Sequence, residues 1–170
     1  MALYPHATFH PVTNINKGLA RVPPRGLVVH ITSNLNTVQG LVAWFSNRHP
    51  PGGVPPASAH FGISQMGKIW QFVDTSDRAW AIDGGENDSW WISVENVALS
   101  GQQLTLSQMF GVAFLLKWLS DSWGMPLQLA AKKTDFGLGY HSMFKIGDHA
   151  CPGKKVEAQL KDIVRFANEM

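Results

Sequence analysis

A chain of 170 residues, of which 45% are apolar and 15% charged, suits one folded domain and argues against intrinsic disorder. The formal net charge of +2, with no run of more than two basic residues, argues against a nucleic-acid-binding protein. The single cysteine excludes an internal disulfide, so its thiol is a ligand, a nucleophile or an inert core group.

The first third of the chain predicts an irregular arm, a buried strand and a helix. Residues 1–25 are rich in proline and asparagine and predict an arm laid over the core. The apolar run over 27–32 predicts a strand that is buried on both faces and carries His30. Packing around such a strand fixes the orientation of the imidazole. Thr37 can cap a following helix, whose apolar side is formed by Val38, Leu41, Val42 and Phe45.

The middle of the chain predicts a hairpin and a further strand. Strands over 58–64 and 69–73 are joined through Gly67, which suits a tight turn. A strand over 90–99 is apolar apart from a few residues, among them Glu95. Because burying a carboxylate without partners is costly, this side chain must face either a site or solvent.

The last third predicts two helices. Thr105 begins the clearest one, which ends at Gly124, and a short strand over 128–131 follows. The closing helix runs from about residue 154 to residue 167. Together these elements predict an α/β fold with a central mixed β-sheet flanked by helices.

Two histidines and the only cysteine lie within a dozen residues, at His141, His149 and Cys151. Imidazole and thiolate are ligands that zinc prefers, and three such protein ligands, with His30 as one of them, would leave a fourth position for water. That arrangement is typical of a catalytic zinc site and indicates a hydrolase. Cys151 also precedes the closing helix, whose dipole favours a thiolate. A cysteine nucleophile and an inert buried thiol are the alternatives.

Short sequences between residues 26 and 167 follow one another in a distinctive order. They are Val28–His30, Ser58–Ile63, Gly67–Gln71, Ala79–Trp80, Ile92–Glu95, Gly139–His141 and Cys151–Gly153. In order and spacing they resemble the zinc-dependent N-acetylmuramoyl-L-alanine amidases, a family that includes phage lysozyme-type amidases and the peptidoglycan recognition proteins. The resemblance implies the amidase and recognition-protein fold, with the catalytic domain over residues 26–170.

The resemblance also implies roles for particular residues. His30, His141 and Cys151 would hold Zn²⁺, and Glu95 would serve as general base. His149 stands where many members carry a lysine that stabilises the oxyanion, although a fourth ligand or a solvated loop residue are other interpretations. Alanine replaces the tyrosine that often precedes the family's His-Phe pair, which makes Glu95 and His149 more important here.

Two further residues are expected to contact the substrate. Trp80 matches a family position and could stack on a sugar ring or pack against the stem peptide. His60 is retained as a pocket or structural residue rather than a ligand. The sequence does not indicate which of the other tryptophans border the substrate-binding groove.

The activity implied is hydrolysis of the amide between N-acetylmuramic acid and L-alanine, in peptidoglycan or in a soluble muropeptide. The N-terminus lacks the features of a signal peptide and no apolar stretch has the length of a membrane span, so we expect a cytoplasmic product that reaches the cell wall by release or delivery. A monomeric, bacteriolytic enzyme fits, either an endolysin released through holin pores or an antibacterial effector with a cognate immunity protein. The alternatives are a recycling amidase, a non-catalytic recognition module and a zinc peptidase acting on another amide.

Overall fold

The computed structural model describes residues 3–83, 85–144 and 150–170. Its centre is a six-stranded sheet in the order β1-β5-β4-β7-β3-β8, and a separate pair joins β2 to β6. The strands are β1 Thr8–Phe9, β2 Ile15–Asn16, β3 Gly26–Ser33, β4 Phe61–Ile63, β5 Ile69–Gln71, β6 Arg78–Ala79, β7 Trp91–Leu99 and β8 Gly137–Tyr140. The helices are α1 Val38–Ser46, α2 Glu86–Trp90, α3 Leu106–Trp123 and α4 Lys154–Asn168.

The sheet is mixed. Strand β3 pairs in parallel with β7 on one side and with β8 on the other. Strand β4 is parallel to β7 and antiparallel to β5, as the predicted hairpin requires. The α/β class with a central mixed sheet flanked by helices is therefore confirmed.

Some predicted boundaries differ from the structure. The strand predicted over 90–99 begins at Trp91, because residues 86–90 form the short helix α2. The strand predicted over 128–131 is reduced to a single bridge between Leu129 and Leu138. The segment 3–25 contributes β1 to the main sheet and β2 to the small one.

The two faces of the sheet have different roles because side chains alternate along a strand. Leu27, Val29 and Ile31 of β3 lie in the main hydrophobic core, which also contains buried residues of α3 and α4. The intervening residues Val28 and His30 belong to the opposite face. This opposite face carries the candidate site.

Helix α3, which covers the core face, has strong local signals at both ends. The hydroxyl of Thr105 accepts a hydrogen bond from the backbone N–H of Gln108, and the Gln108 side chain accepts one from the backbone N–H of Thr105, forming a capping box. The helix ends at Gly124 in the left-handed conformation, with φ of 68°. In the described parts of the chain, no helix combines the length and apolar character needed to cross a membrane.

Glycine allows β3 and β8 to approach each other closely. A β-carbon on Gly26 would lie 1.8 Å from the carbonyl oxygen of Gly137. The absence of a side chain at residue 26 therefore sets the position of β8, and with it the position of the residues that follow β8.

Candidate active site

The candidate site lies at the carboxyl ends of three parallel strands. His30 near the end of β3 is in register with Glu95 of β7, so the two side chains emerge on the same face of the sheet. His141 begins the turn that directly follows β8. The rings of His30 and His141 have centroids 4.5 Å apart and are inclined by 50°.

Cys151 reaches the same place from the segment before α4. The backbone N–H of Ile31 donates to its Sγ over 3.4 Å, across 120 positions of sequence. The backbone N–H of Ser142 donates to the Cys151 carbonyl oxygen over 2.8 Å. These two bonds tie the thiol to the end of β3 and to the turn that contains His141.

The three side chains suit a zinc ion. One ligand atom from each of His30, His141 and Cys151 lies within 4.8 Å of the other two. Bonds of about 2.0 Å to nitrogen and 2.3 Å to sulfur place tetrahedral ligand atoms roughly 3.5 Å apart. Small side-chain rotations would therefore close the cluster around one ion, and the donor set of two imidazoles and a thiolate fits zinc chemically.

The surroundings of Glu95 also favour a nearby cation. Its Oε2 is buried and has no hydrogen-bond partner among the described residues. Burial raises the pKa of the Glu95 carboxyl to about 7. A buried carboxyl with a bare oxygen is suited to hold or release a proton at neutral pH.

The pKa of Cys151 corrects one sequence-based expectation. The position before α4 predicted a stabilised thiolate, but burial, with the nearby Glu95 charge, raises the pKa of this thiol to about 12. In the absence of a cation, burial and the neighbouring Glu95 charge disfavour the Cys151 thiolate more than the helix dipole favours it. A divalent ion at the cluster would offset both negative charges.

The raised pKa of Glu95 has a consequence for the stability of the metal-free protein. The folded state retains the proton up to about pH 7, whereas the unfolded chain loses it near about pH 4.3. Between these pH values the folded state binds more protons than the unfolded state. The contribution of Glu95 to the free energy of unfolding therefore falls as pH rises.

We expect Glu95→Gln to remove this contribution, because the amide does not ionise. The free energy of unfolding of the variant, taken relative to that of the parent, should rise by about 3 kcal/mol between pH 5 and pH 8. Urea unfolding in the presence of a chelator measures the difference at both values. Taking the difference cancels the opposite contribution of His60, whose pKa burial lowers to about 4. A difference between variant and parent that does not change with pH would contradict the assignment.

Two cavities flank the cluster. One, of about 240 Å³, is lined by Glu95, the end of β3 and α1, and includes Trp44. The other, of about 660 Å³, is lined by His141, Trp80 and residues around them. Ile82 and Asp83 form part of its wall. Glu95 borders the smaller cavity and His141 the larger one, so space for a substrate lies next to both side chains.

The two predicted substrate-binding residues differ in their surroundings. Trp80 lines the larger cavity. His60 is only 1% exposed, and its ring nitrogens lie 3.0 Å from the Ser93 hydroxyl oxygen and 3.1 Å from the Asp77 carbonyl oxygen. These contacts favour a structural role for His60 over contact with substrate. His149 lies outside the described residues.

Residues that the sequence did not single out also contribute to the cavities. Trp44 was one of several tryptophans without an assigned role, and it is 36% exposed in the smaller cavity. Asn16 and Arg78 line the larger cavity. No local signal marks them, because one lies in the irregular arm and the other in a turn-rich stretch.

Comparisons with solved structures establish the fold. AmpD, solved as its selenomethionine derivative, superimposes with a TM-score of 0.72 at 19% identity, over 95% of this chain and 96% of AmpD. The N-acetylmuramoyl-L-alanine amidase LysC from Clostridium intestinale URNW gives 0.67 at 15% identity, over 95% and 99%. Peptidoglycan recognition protein LE, in complex with tracheal cytotoxin, gives 0.68 at 13% identity, over 91% and 92%. A sequence comparison with curated proteins gave no match.

The family follows from the sequence itself. The profile of the N-acetylmuramoyl-L-alanine amidase family matches residues 20–154, which is most of the chain. This range contains β3, β7 and β8 and all three members of the clustered His30, His141 and Cys151 set. The chain therefore belongs to the N-acetylmuramoyl-L-alanine amidase family.

Proposed function

We propose that the chain is a zinc-dependent hydrolase that cleaves the amide between the lactyl group of N-acetylmuramic acid and L-alanine, with residues 26–170 as its catalytic domain and 1–25 as an arm. Membership in the amidase family supports the bond that is cut. The observation that carries the zinc dependence is the cluster of His30, His141 and Cys151, whose ligand atoms lie within 4.8 Å of one another.

In this proposal His30, His141 and Cys151 would hold the ion. Bound zinc would polarise the substrate carbonyl and make the attacking water more acidic. The imidazole of His30 is oriented by its strand, since the residue is 2% exposed and its backbone carbonyl accepts a hydrogen bond of 3.1 Å from Asn96.

Glu95 is the proposed general base. Its carboxylate accepts a proton from the attacking water, whose oxygen adds to the carbonyl carbon of the scissile amide. The same carboxyl then donates that proton to the departing L-alanine nitrogen, so that the amine leaves neutral. A buried carboxyl with a pKa raised to about 7 is suited to both steps near neutral pH.

His149 and Trp80 complete the proposal. We assign His149 the role of stabilising the oxyanion. A hydrogen bond donated by its ring N–H would lower the activation free energy by about 3 kcal/mol. Trp80, in the cavity beside His141, offers its indole to a sugar ring or to the stem peptide.

The biological setting that we propose is lysis of a cell wall, by an endolysin or an antibacterial effector. Structural similarity extends to the endolysin LysCS from Clostridium intestinale URNW, at 17% identity with a TM-score of 0.67. Recycling of soluble muropeptides by the same hydrolysis is the alternative setting. In either setting the substrate is N-acetylmuramoyl peptide.

The test is product identification. Zinc-loaded protein is incubated with purified peptidoglycan and, separately, with a soluble muropeptide, and the products are analysed by mass spectrometry. We expect free stem peptides with an L-alanine amino terminus, together with intact N-acetylmuramic acid. Cleavage at another amide would identify a different zinc peptidase. Binding without cleavage would identify a recognition module.

Metal binding should release a proton. Because the pKa of the Cys151 thiol is raised to about 12 in the metal-free protein, the thiol is protonated at neutral pH and must ionise to become a ligand. We expect zinc affinity to rise about tenfold per pH unit around pH 7.5, with about one proton released per ion. Calorimetry in buffers of different ionisation enthalpy counts the protons. A binding enthalpy independent of the buffer would rule out Cys151 as a ligand that ionises on binding.

A further inference from the structure

One amide oxygen in the N-terminal arm holds two residues of the larger cavity. Oδ1 of Asn16 accepts hydrogen bonds from Nε1 of Trp80 over 2.6 Å, from Nη2 of Arg78 over 2.7 Å and from Nε of Arg78 over 3.1 Å. Both donors also line the cavity that His141 borders, as does Asn16 itself. The Asn16 side chain thus connects the arm to two residues of the cavity.

The backbone places Asn16 for this role. Strand β2 of the arm pairs with β6, and the register sets Asn16 directly opposite Arg78. Arg78 and Trp80 are two residues apart, so they project on the same side of their segment. A single acceptor on the neighbouring strand can therefore reach the guanidinium and the indole together.

A second contact, from the loop after α1, acts on the ring of Trp80. The guanidinium carbon of Arg48 lies 5.0 Å from the centroid of the Trp80 ring, within cation–π range. Nη2 of Arg48 in turn donates to the backbone carbonyl of Thr13 over 2.8 Å. The Trp80 indole therefore has two supports. Asn16 accepts a hydrogen bond from its N–H, and Arg48, which is anchored on Thr13 of the arm, lies over its ring.

The groups that orient Arg78 are neutral ones. Within residues 3–83, 85–144 and 150–170 no carboxylate forms an ion pair with Arg78, and its Nη1 donates a hydrogen bond of 3.4 Å to the carbonyl of Gly85. A neutral amide thus orients the guanidinium without neutralising it.

We propose that Asn16 is a positioning residue that fixes Trp80 and Arg78 in the substrate cavity, so that the arm contributes to muropeptide binding without touching the reacting atoms. The inference rests on the proposed function in one respect, since the ligand of the cavity is taken to be a muropeptide. Loss of the Asn16 amide frees two side chains, and binding then has to restrict them again.

The first measurement follows the Trp80 indole N–H by ¹⁵N NMR, with Trp80→Phe used for assignment. We expect Asn16→Ala to shift this resonance and to speed its exchange with solvent about tenfold or more, because the N–H loses its acceptor. Asn16→Asp keeps acceptor oxygens and should retain the slow exchange of the parent. An unchanged resonance in Asn16→Ala would overturn the proposed hydrogen bond.

The second measurement is calorimetric binding of a soluble N-acetylmuramoyl tripeptide in a Glu95→Gln background, which removes hydrolysis. Asn16→Ala should weaken binding about tenfold and leave the zinc content unchanged. The matched control is Asn168→Ala, which removes an amide at the far end of α4 that donates to the Leu127 carbonyl over 3.0 Å and does not line the cavity, and it should change the affinity less than twofold.

Equal affinity in Asn16→Ala and its parent would overturn the proposal, as would an equal loss in Asn168→Ala. With the native Glu95, Asn16→Ala should raise KM and leave kcat within about twofold. Binding and the NMR signal do not require turnover. A protein that binds the tripeptide but never cleaves it would therefore refute the proposed hydrolysis, and the role of Asn16 would still be decided.

Discussion

Replacing Cys151 by serine should remove zinc and activity together. The hydroxyl ionises far less readily than the thiol and is a poorer ligand for zinc, so the ion would be held by His30 and His141 alone. If a structural zinc site contributes about 12 kcal/mol through four ligands, the loss of one is worth about 3 kcal/mol, or two orders of magnitude in affinity. Competition with a chromophoric chelator measures the affinity, and release of stem peptide measures the activity.

A control for this variant lies beside it. Ser142→Ala removes a hydroxyl that donates to Glu157 over 3.0 Å, next to the same turn, and retains the thiol. It should keep zinc at full stoichiometry. If Cys151→Ser kept both zinc and turnover, the cysteine would be removed from the ligand set, and loss of turnover with zinc retained would favour a nucleophilic cysteine instead.

Replacing Glu95 by glutamine should separate metal binding from catalysis. The amide has nearly the shape of the carboxyl but neither accepts nor donates a proton in the required way, so the rate should fall by about a thousandfold. Zinc should remain bound, because the three ligand side chains are unchanged. Metal analysis and single-turnover kinetics on the same preparation measure both quantities.

The control for Glu95→Gln is Glu169→Gln at the exposed end of α4, where the carboxylate pairs with Arg165 over 3.2 Å. It should show parental kinetics. Undiminished turnover in Glu95→Gln would transfer the role of the base to another group. Loss of zinc in this variant would instead show that Glu95 belongs to the metal site.

Local signals in the sequence predicted the main elements well. The Thr105 cap, the apolar repeat after it and Gly124 delimit α3 within the chain itself, and α3 begins and ends where they indicate. Helix α2 was missed because it is five residues long, is rich in polar side chains and has no side-chain cap at Gly85. Such a helix is stabilised by tertiary contacts, one of which is the Asp88 carboxylate that accepts hydrogen bonds from the backbone of residues 81–83.

The candidate site was harder to predict than the fold. Spacing alone brought His141 and Cys151 together. His30 was a candidate ligand because it lies on a buried strand, but its assignment to the same ion depended on the family resemblance, since contacts over 120 positions leave no periodic trace. The raised pKa of Cys151 was missed for the same reason, because it depends on burial and on Glu95 from another strand. Asn16 could not be recognised at all, because its importance comes from the pairing of β2 with β6.

The central claim is that His30, His141 and Cys151 bind one zinc ion. Anomalous diffraction at the zinc edge, from crystals grown with the metal, tests it most directly. We expect one strong peak at about 2.0 Å from a nitrogen of each histidine and about 2.3 Å from the sulfur. A zinc-loaded crystal with no peak among these three side chains, or with the ion on other ligands, would contradict it.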